Sequence, residues 1–356
     1  MENTTPKIEN YLEEVVRRNA SDLHIQTGSA AILRIDGRLT KSENTSVLVE
    51  KQLEELILPV LDDKQKEILT TKRELDFSFA FGDLARFRVN AFHEKGSLAA
   101  ALRLIPTKIR TLEELSMPKV ISDFTKYPRG IVLITGPTGS GKTTTQAAMV
   151  DLINTNSSQH IITIEDPIEY QHHNKNSVIV QREVHFDTLS FSSALRSALR
   201  EDPDVVLIGE MRDLETIATA LTVAETGHLV FATLHTNGAA QSIDRIIDVF
   251  PAHQQQQIRV QLAGVLRGII SQRLLPVIGG GRVAATEIMV ANSAVRNLIR
   301  ENKTNQIEAV IQTGSSLGMQ SMDKVLVSLV NQGKISYEDG KAYSIDPVEY
   351  DKLMRK

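Results

Sequence analysis

The chain of 356 residues lacks cysteine and tryptophan, and only 16 of its residues are aromatic. The absence of cysteine excludes a disulfide-stapled secreted fold, a thiol nucleophile, an iron–sulfur cluster and a cysteine zinc site. With 41% hydrophobic and 24% charged residues, the composition is that of a globular protein, which excludes intrinsic disorder. The length predicts about two domains.

Membrane segments and a basic net charge are also missing. The longest stretch without Asp, Glu, Lys or Arg runs from Thr226 to Ile243, and its histidines and asparagine exclude a membrane span. The N-terminus has neither the basic start nor the apolar core of a signal peptide, which predicts a cytoplasmic protein with no direct membrane insertion. A net charge of −4 gives no bulk attraction to nucleic acid.

The first hundred residues have the pattern of a small α+β domain. Apolar residues at helical spacing precede several short segments typical of strands. Asp36-Gly37 is predicted to form one hairpin turn, and residues 93–96 a second. Prolines near both ends of the segment 105–118 predict an inter-domain connection. The predicted domains are therefore residues 1–104 and 119–356.

After this connection, short apolar strands alternate with helical segments. This alternation predicts an α/β domain with a parallel sheet covered on both faces. The strands are IVLIT, HIITIED, DVVLIGE and HLVFATLH, and helices are expected to begin at Lys142, Ser190, Asp213 and Gly238. From Gln254 onward the chain is predicted to be mostly helical, interrupted by three glycines and the strand-like RVAATEIMV. A helical C-terminal tail is expected from about residue 290.

Residues 136–143, GPTGSGKT, match a phosphate-binding loop. They fit G-x-x-x-x-G-K-[ST] between a predicted strand and a predicted helix, which is the context that the motif requires. Glycines let backbone N–H groups converge on phosphate oxygens, and the helix N-terminus adds positive partial charge. Lys142 is predicted to reach the β- and γ-phosphates of ATP, and Thr143 to hold Mg²⁺. The predicted nucleotide-binding residues are Gly136, Pro137, Thr138, Gly139, Ser140, Gly141, Lys142, Thr143 and Thr144.

Acidic residues end two of the predicted strands. Glu210 ends DVVLIGE, and Glu165 and Asp166 end HIITIED. The carboxyl ends of parallel strands face the ligand crevice, where the phosphate loop also lies. One carboxylate can hold Mg²⁺, with Glu210 the candidate ligand through water, and another can orient or deprotonate the attacking water. The alternative is a helix cap or a local ion pair, as expected for Asp213.

Three arginines and two histidines are further candidates for residues that act on the nucleotide. Arg86 and Arg88 lie two apart on one strand and Arg103 on its partner, so the three share a face. They can supply charge to a nucleotide on a neighbouring subunit, or form a solvated polar face. His228 and His235 bracket a strand about 23 Å long at ~3.3 Å per residue, too far apart to share a metal ion. His235 is a candidate phosphate sensor; the alternative is a polar residue satisfied at each strand end.

In these motifs the chain resembles the type IV pilus retraction ATPases, the PilT family of the type II/IV secretion ATPase superfamily, over nearly its whole length. The resemblance rests on GPTGSGKTTT, ITIEDPIEY, ALREDPDVVLIGEMRDLET and TGHLVFATLHTNGAAQSIDRIIDVF. The downstream runs AVRNLIRE and SLGMQSMD point to the retraction branch. The usual form of the first begins Ala-Ile-Arg, so Val295 is a conservative departure.

The resemblance implies a PAS-like N-terminal domain and a RecA-like ATPase domain, assembled as a homo-hexamer at the cytoplasmic face of the inner membrane. ATP and Mg²⁺ would power pilus retraction and twitching motility, with an inner-membrane platform protein and an accessory retraction ATPase as partners. The implied catalytic residues are Lys142, Glu165, Glu210, His228, His235, Arg86, Arg88, Arg103 and Arg245. The implied coupling element is Ala294, Val295, Arg296, Asn297, Leu298, Ile299, Arg300 and Glu301.

The alternative for this coupling element is an ordinary amphipathic helix, since Val295, Leu298 and Ile299 share one face. Other functions also remain open. An assembly or secretion ATPase usually carries a further N-terminal domain and a four-cysteine motif, neither of which is expected here. A nucleic-acid motor would need basic loops that bear aromatic residues. A regulatory module would have lost Lys142 or Glu210, and an accessory retraction ATPase stays a close alternative.

Overall fold

Two units make up the chain, Met1–Lys108 and Ile109–Lys356. The computed structural model describes residues 7–35, 37–82, 84–105 and 108–355. The division falls inside the predicted connection 105–118, whose residues 106 and 107 lie outside the described residues. In the described ranges no helix is both long and apolar enough to cross a lipid bilayer.

The N-terminal unit is built on a six-stranded antiparallel sheet, which confirms the predicted α+β class. Its strands are β1 (Asp22–Ile25), β2 (Ile32–Ile35), β3 (Arg38–Lys41), β4 (Glu74–Phe81), β5 (Ala85–Glu94) and β6 (Ser97–Ile105). The strand order is β3-β2-β1-β6-β5-β4. Its helices are α1 (Ile8–Arg17), α2 (Glu50–Ile57) and α3 (Asp63–Lys72). Apolar side chains of the sheet and helices, including Leu12, Leu53 and Phe87, form one core.

Two hairpins of this sheet were predicted. Strands β5 and β6 pair antiparallel around Lys95 and Gly96, which have φ of 52° and 89°, so the second hairpin is confirmed. The first prediction involves Asp36, which lies outside the described residues. Strands β2 and β3 on either side of it pair antiparallel.

The C-terminal unit contains a seven-stranded, mainly parallel sheet. Its strands are β7 (Gly130–Thr135), β8 (His160–Glu165), β9 (Val178–Glu183), β10 (Val205–Ile208), β11 (Leu229–Leu234), β12 (Leu266–Pro276) and β13 (Arg282–Val290). The order is β13-β12-β7-β11-β10-β8-β9, in which only β13 runs antiparallel to its neighbour. This arrangement makes β7 an inner strand, paired with β12 on one side and β11 on the other.

Helices cover both faces of this sheet, as predicted. The helices before the C-terminal tail are α4 (Lys119–Phe124), α5 (Lys142–Asn156), α6 (Phe191–Ala198), α7 (Leu214–Glu225), α8 (Ala239–Asp248) and α9 (Ala252–Val265). Ile131 and Leu133 of β7 pack in the core formed with α6 to α9, whereas Val132 and Ile134 pack in the core with α4 and α5. Successive residues of a strand point to opposite faces, so a central strand must be apolar throughout.

The predicted helix starts agree closely with the structure. Helix α5 begins at Lys142, and Ser190, Asp213 and Gly238 are the residues immediately before α6, α7 and α8. Oδ1 of Asp213 accepts the N–H of Thr216 at 2.8 Å, which confirms the predicted cap.

The prediction of a mostly helical chain from Gln254 was wrong for residues 266–276. These residues form β12, which lies between β7 and β13. Pairing on both edges and packing on both faces stabilise the strand, and none of these contacts is local in the sequence. The helical tail then follows as α10 (Ser293–Arg300), α11 (Ile307–Thr313), α12 (Met322–Asn331), α13 (Tyr337–Ala342) and α14 (Pro347–Met354).

Candidate active site

The phosphate loop occupies residues 136–141, between the end of β7 and the start of α5. Gly136, Gly139 and Gly141 have φ of 142°, 79° and 87°, a region that side-chain-bearing residues rarely adopt. A Cβ on Gly136 would also lie 2.3 Å from the carbonyl oxygen of Gln272. The glycines therefore give the loop its shape and its close approach to β12.

Lys142 is folded onto the carbonyl groups of this loop. Its Nζ donates to the oxygens of Gly136 at 2.8 Å and of Pro137 at 3.0 Å. Burial lowers the pKa of Lys142, and the charges of Glu210 and Glu169 oppose that effect. In the described part of the chain Lys142 has no carboxylate at ion-pair distance. The ammonium group is thus held by neutral acceptors, which phosphate oxygens can replace.

Glu210 lies next to Arg212 and His235. Strands β10 and β11 are parallel neighbours, so the segments that follow them meet at the same edge of the sheet. Oε2 of Glu210 lies 2.7 Å from Nη2 of Arg212, and Oε1 lies 3.1 Å from Nε2 of His235. Burial alone would raise the pKa of Glu210, but Arg212 and His235 outweigh it and hold the pKa below its ordinary value. Glu210 is therefore a carboxylate at neutral pH.

Glu165 is the last residue of β8, the strand on the other side of β10. It is buried, and its Oε1 accepts the hydroxyl of Thr163 at 2.7 Å and Nε2 of Gln181 at 3.3 Å. Burial raises the pKa of Glu165 to about 7. A carboxyl group with this pKa can take up and release a proton near neutral pH, as a general base must.

The structure brings Lys142, Glu210 and His235 together and adds two residues that the sequence analysis did not assign. Glu169 acts electrostatically on both Lys142 and Glu165. Arg212 pairs with Glu210. Both lie within four residues of an assigned strand-end carboxylate, and that position was the signal available in the sequence.

Two of the implied site residues lie elsewhere in this unit. His228 precedes β11, at the opposite end from His235, and its Nδ1 lies 2.9 Å from the carbonyl oxygen of Val223. Arg245 is exposed on the last turn of α8. Their part in catalysis stays a prediction.

The N-terminal arginines share one face of their sheet, as predicted. Arg88 lies opposite Arg103 in the β5–β6 register, and Arg86 alternates with buried neighbours along β5. Nε of Arg103 donates to Oδ1 of Asp22 at 2.9 Å. The side chain of Arg88 forms no hydrogen bond or ion pair with any described residue. An action of these side chains on nucleotide stays a prediction.

Helix α10 carries the predicted coupling element. Oδ1 of Asn292 caps it by accepting the N–H of Val295 at 2.9 Å. Val295 and Ile299 are fully buried and Leu298 packs against the same core, which confirms the predicted apolar face. Nε of Arg296 donates to the carbonyl oxygen of Ala291 at 2.9 Å. A role in coupling stays a prediction.

The loop and its surroundings fit a nucleotide with Mg²⁺. Thr143 lies in the first turn of α5, and its hydroxyl has no partner among the residues that the structure describes. Those residues also contain no group of three or more His, Asp or Glu side chains that could hold a metal. A hydroxyl at this position fits Mg²⁺, which proteins bind through substrate phosphates and water with few ligands of their own. A parallel sheet with this loop after a central strand defines a P-loop nucleotide-binding protein.

The chain belongs to the type II/IV secretion system protein family, whose model matches residues 2–339. It is an ATP-hydrolysing enzyme of that family. It is 53% identical over 325 residues to the type IV pilus retraction ATPase PilT of Pseudomonas aeruginosa, covering 91% of this chain and 94% of that protein. It is 39% identical over 339 residues to the type IV pilus ATPase PilU of the same organism, covering 95% and 88%.

Solved structures agree with these sequence similarities. The pilus retraction motor PilT with bound ADP superimposes with a TM-score of 0.91 at 48% identity, covering 98% of this chain and 99% of that one. The ATPase DotB of Legionella pneumophila has a TM-score of 0.82 at 31% identity, covering 94% of each chain. The resemblance to PilT and the predicted fold class are confirmed.

Proposed function

We propose that this chain is the motor ATPase that powers type IV pilus retraction, with Mg²⁺ as its cofactor. The observation that carries the proposal is the placement of Lys142 and Glu210 at one phosphate loop in a chain 53% identical to PilT. The motor acts as a homo-hexamer at the cytoplasmic face of the inner membrane and engages a platform protein there. Its hydrolysis of ATP powers pilus retraction and twitching motility.

Nucleotide binding begins at the phosphate loop. Lys142 leaves the carbonyl oxygens of Gly136 and Pro137 and binds the β- and γ-phosphates. The backbone N–H groups of the loop and the N-terminus of α5 bind the same anion. Thr143 and Glu210, the latter through water, would hold Mg²⁺, which would supply positive charge to the phosphates during the reaction.

The two strand-end carboxylates have different roles in the reaction. Glu210 is ionised and oriented by Arg212 and His235, which suits a residue that organises Mg²⁺ and water. Glu165 has a pKa of about 7, which suits the group that takes a proton from the attacking water. Arg86, Arg88, Arg103 and Arg245 are the candidates for stabilising transition-state charge, the first three from a neighbouring subunit. Helix α10 couples hydrolysis to retraction.

Two comparisons support retraction over the alternatives. Identity to PilT is 53%, against 39% to the PilU ATPase and 34% to the type II secretion system protein E of P. aeruginosa. The chain contains no cysteine, so it cannot form the four-cysteine motif expected of assembly and secretion ATPases. An accessory ATPase of the PilU kind would act beside this motor as a partner.

The proposal is tested with the purified full chain. We expect ATP turnover that requires Mg²⁺ and is lost in Lys142→Ala, while Lys334→Ala, which removes an exposed lysine outside the site, keeps it. Turnover in Lys142→Ala equal to that of the wild type would contradict the site. Turnover that persists after chelation of divalent ions would contradict the assigned cofactor.

A further inference from the structure

Gln272 lies directly beneath the phosphate loop, on the strand β12. It is 2% exposed, and both ends of its carboxamide are hydrogen-bonded. Nε2 donates to the carbonyl oxygen of Ser140 at 2.7 Å, and Oε1 accepts the hydroxyl of Thr145 at 2.8 Å. One side chain from outside the motif thus joins the loop to the first turn of α5.

The sheet register explains this position. Thr135, the last residue of β7, pairs with Ser271 of β12, so Gln272 lies beside the point where the loop begins. A Cβ on Gly136 would lie 2.3 Å from the carbonyl oxygen of Gln272, and a Cβ on Gly141 would lie 2.8 Å from its Nε2. The first and last glycines of the loop therefore both lie close to Gln272.

The bond to Ser140 also orients the next N–H group. The Ser140 carbonyl and the Gly141 N–H belong to one planar trans peptide, in which the two groups point in opposite directions. Because Gln272 binds the carbonyl from beneath, the N–H of Gly141 is directed to the opposite side of the peptide. Gly141 is the N-cap of α5, and N–H groups at a helix N-terminus are donors for phosphate.

We propose that Gln272 is a positioning residue that fixes the Ser140–Gly141 peptide in the orientation needed to bind nucleotide phosphate. The inference rests on the proposed function of the loop. Lys142 must release the carbonyl oxygens of Gly136 and Pro137 when it binds phosphate, and the bonds from Gln272 do not depend on that release. Loss of the carboxamide therefore weakens nucleotide binding more than it slows the chemical step.

Three variants of the full chain distinguish the effects of the two hydrogen bonds made by the Gln272 side chain. Gln272→Met keeps the length of the side chain and removes both bonds. Gln272→Glu keeps an acceptor for Thr145 but, when it is ionised, has no donor for the Ser140 carbonyl. Thr145→Val removes only the bond to Oε1. The matched control is Gln320→Met, because Nε2 of Gln320 also donates to a backbone oxygen on the same sheet, that of Thr286 at 2.7 Å.

The measurements are the Kd for MgADP by calorimetry, KM and kcat for ATP, and Tm. At about 1 kcal/mol for each hydrogen bond, we expect Kd and KM to rise about tenfold or more in Gln272→Met, with kcat within about threefold of wild type. Thr145→Val should raise Kd about twofold to fivefold, because it removes one of the two bonds. The Kd of Gln272→Glu for MgADP should be no lower than that of Gln272→Met. Gln320→Met should lower Tm and leave Kd unchanged.

The outcomes separate this inference from the proposed function. Wild-type Kd in Gln272→Met, beside lost binding in Lys142→Ala, overturns the inference and leaves the proposed function intact. If Lys142→Ala binds MgADP as tightly as the wild type does, the assignment of the phosphate site is itself contradicted. If Gln272→Met does not fold, Gln272→Leu, which likewise lacks both hydrogen bonds, decides, and a wild-type Kd in that variant overturns the inference.

Discussion

His235 and Glu210 meet at the carboxyl edge of the sheet, where Nε2 of the imidazole lies 3.1 Å from Oε1 of the carboxylate. They follow two neighbouring parallel strands, β11 and β10, so the sheet itself sets their separation. The opposite oxygen of Glu210 is bound by Arg212 at 2.7 Å. Each carboxylate oxygen thus has a cationic or hydrogen-bonding neighbour, which fixes its orientation.

The contact between His235 and Glu210 predicts a kinetic effect. In His235→Ala, Glu210 loses one of its two orienting neighbours, and we expect kcat for ATP to fall about tenfold to a hundredfold. The Kd for MgADP should change little, because Lys142 and the loop are unaltered. His173→Ala, which removes an exposed histidine of the same unit, is the control. Unchanged kcat in His235→Ala would show that the contact is only structural.

The raised pKa of Glu165 predicts how turnover depends on pH. A general base must be ionised, and the pKa of Glu165 is about 7, so kcat should fall as pH drops below about 7 and approach a tenfold loss per pH unit. Glu67→Gln, which alters an exposed carboxylate of α3, should keep this profile. Glu165→Gln should lose most of the turnover at every pH. If kcat of the wild type stays constant from pH 6 to 8, Glu165 is not the general base.

The same pKa predicts the opposite trend for stability. Since the pKa of Glu165 is raised from 4.5 to about 7 on folding, the unfolded chain releases this proton at a lower pH than the folded chain does. The unfolding free energy therefore falls as pH rises from about 4.5 to about 7 and levels off above that. Relative to Glu165→Gln, the wild type should lose roughly 2.5 kcal/mol of unfolding free energy between pH 5 and 8. Urea unfolding of both proteins across this range measures the difference. Parallel curves for the two proteins would contradict a buried, shifted carboxyl group.

A trans role for the N-terminal arginines is best tested at Arg88, whose side chain makes no polar contact with the described residues. Arg88→Ala should lower ATP turnover more than tenfold, whereas Arg38→Ala, at an exposed position of the same sheet, should not. Mixing Arg88→Ala with Lys142→Ala subunits should restore part of the activity, because one subunit supplies the arginine and the other the loop. An absence of complementation in mixed assemblies would argue against action between subunits.

The coupling role of α10 is best tested at an exposed side chain. Arg296 donates to backbone oxygens and Leu298 packs on the core, so substitutions there also disturb the fold. Arg300 is exposed, and among the described residues its guanidinium bonds only to the nearby Asn297, through Nη1. Arg300→Ala should keep ATP turnover within about twofold and impair pilus retraction in cells, with Lys303→Ala as the control. Normal retraction in Arg300→Ala cells would leave α10 a structural helix.

The parts of the site that depend on contiguous residues could be predicted from the sequence. The phosphate loop, the helix starting at Lys142 and the strand-end positions of Glu165 and Glu210 all follow from local motifs and from the rule that parallel strands end at one edge. The N-cap at Asp213 was likewise a local signal.

The parts that could not be predicted depend on contacts between distant segments. Gln272 reaches the loop only because β12 pairs with β7, and the sequence of β12 was interpreted as helical. The burial that shifts the pKa of Glu165, and its bond from Gln181 of β9, likewise arise from the packing of the sheet. Apolar periodicity cannot distinguish a buried strand from a buried helix in such segments.

The most direct measurement of the central claim is made in cells that carry Glu210→Gln in place of the wild-type gene. Glu210→Gln keeps the size of the side chain and removes its charge, so the protein should fold and bind nucleotide without turning it over. If the chain powers retraction, these cells keep making pili that they cannot withdraw, and they become hyperpiliated and lose twitching motility. Cells without surface pili would show that the chain drives assembly, and normal pili with normal motility would contradict a motor role at this site.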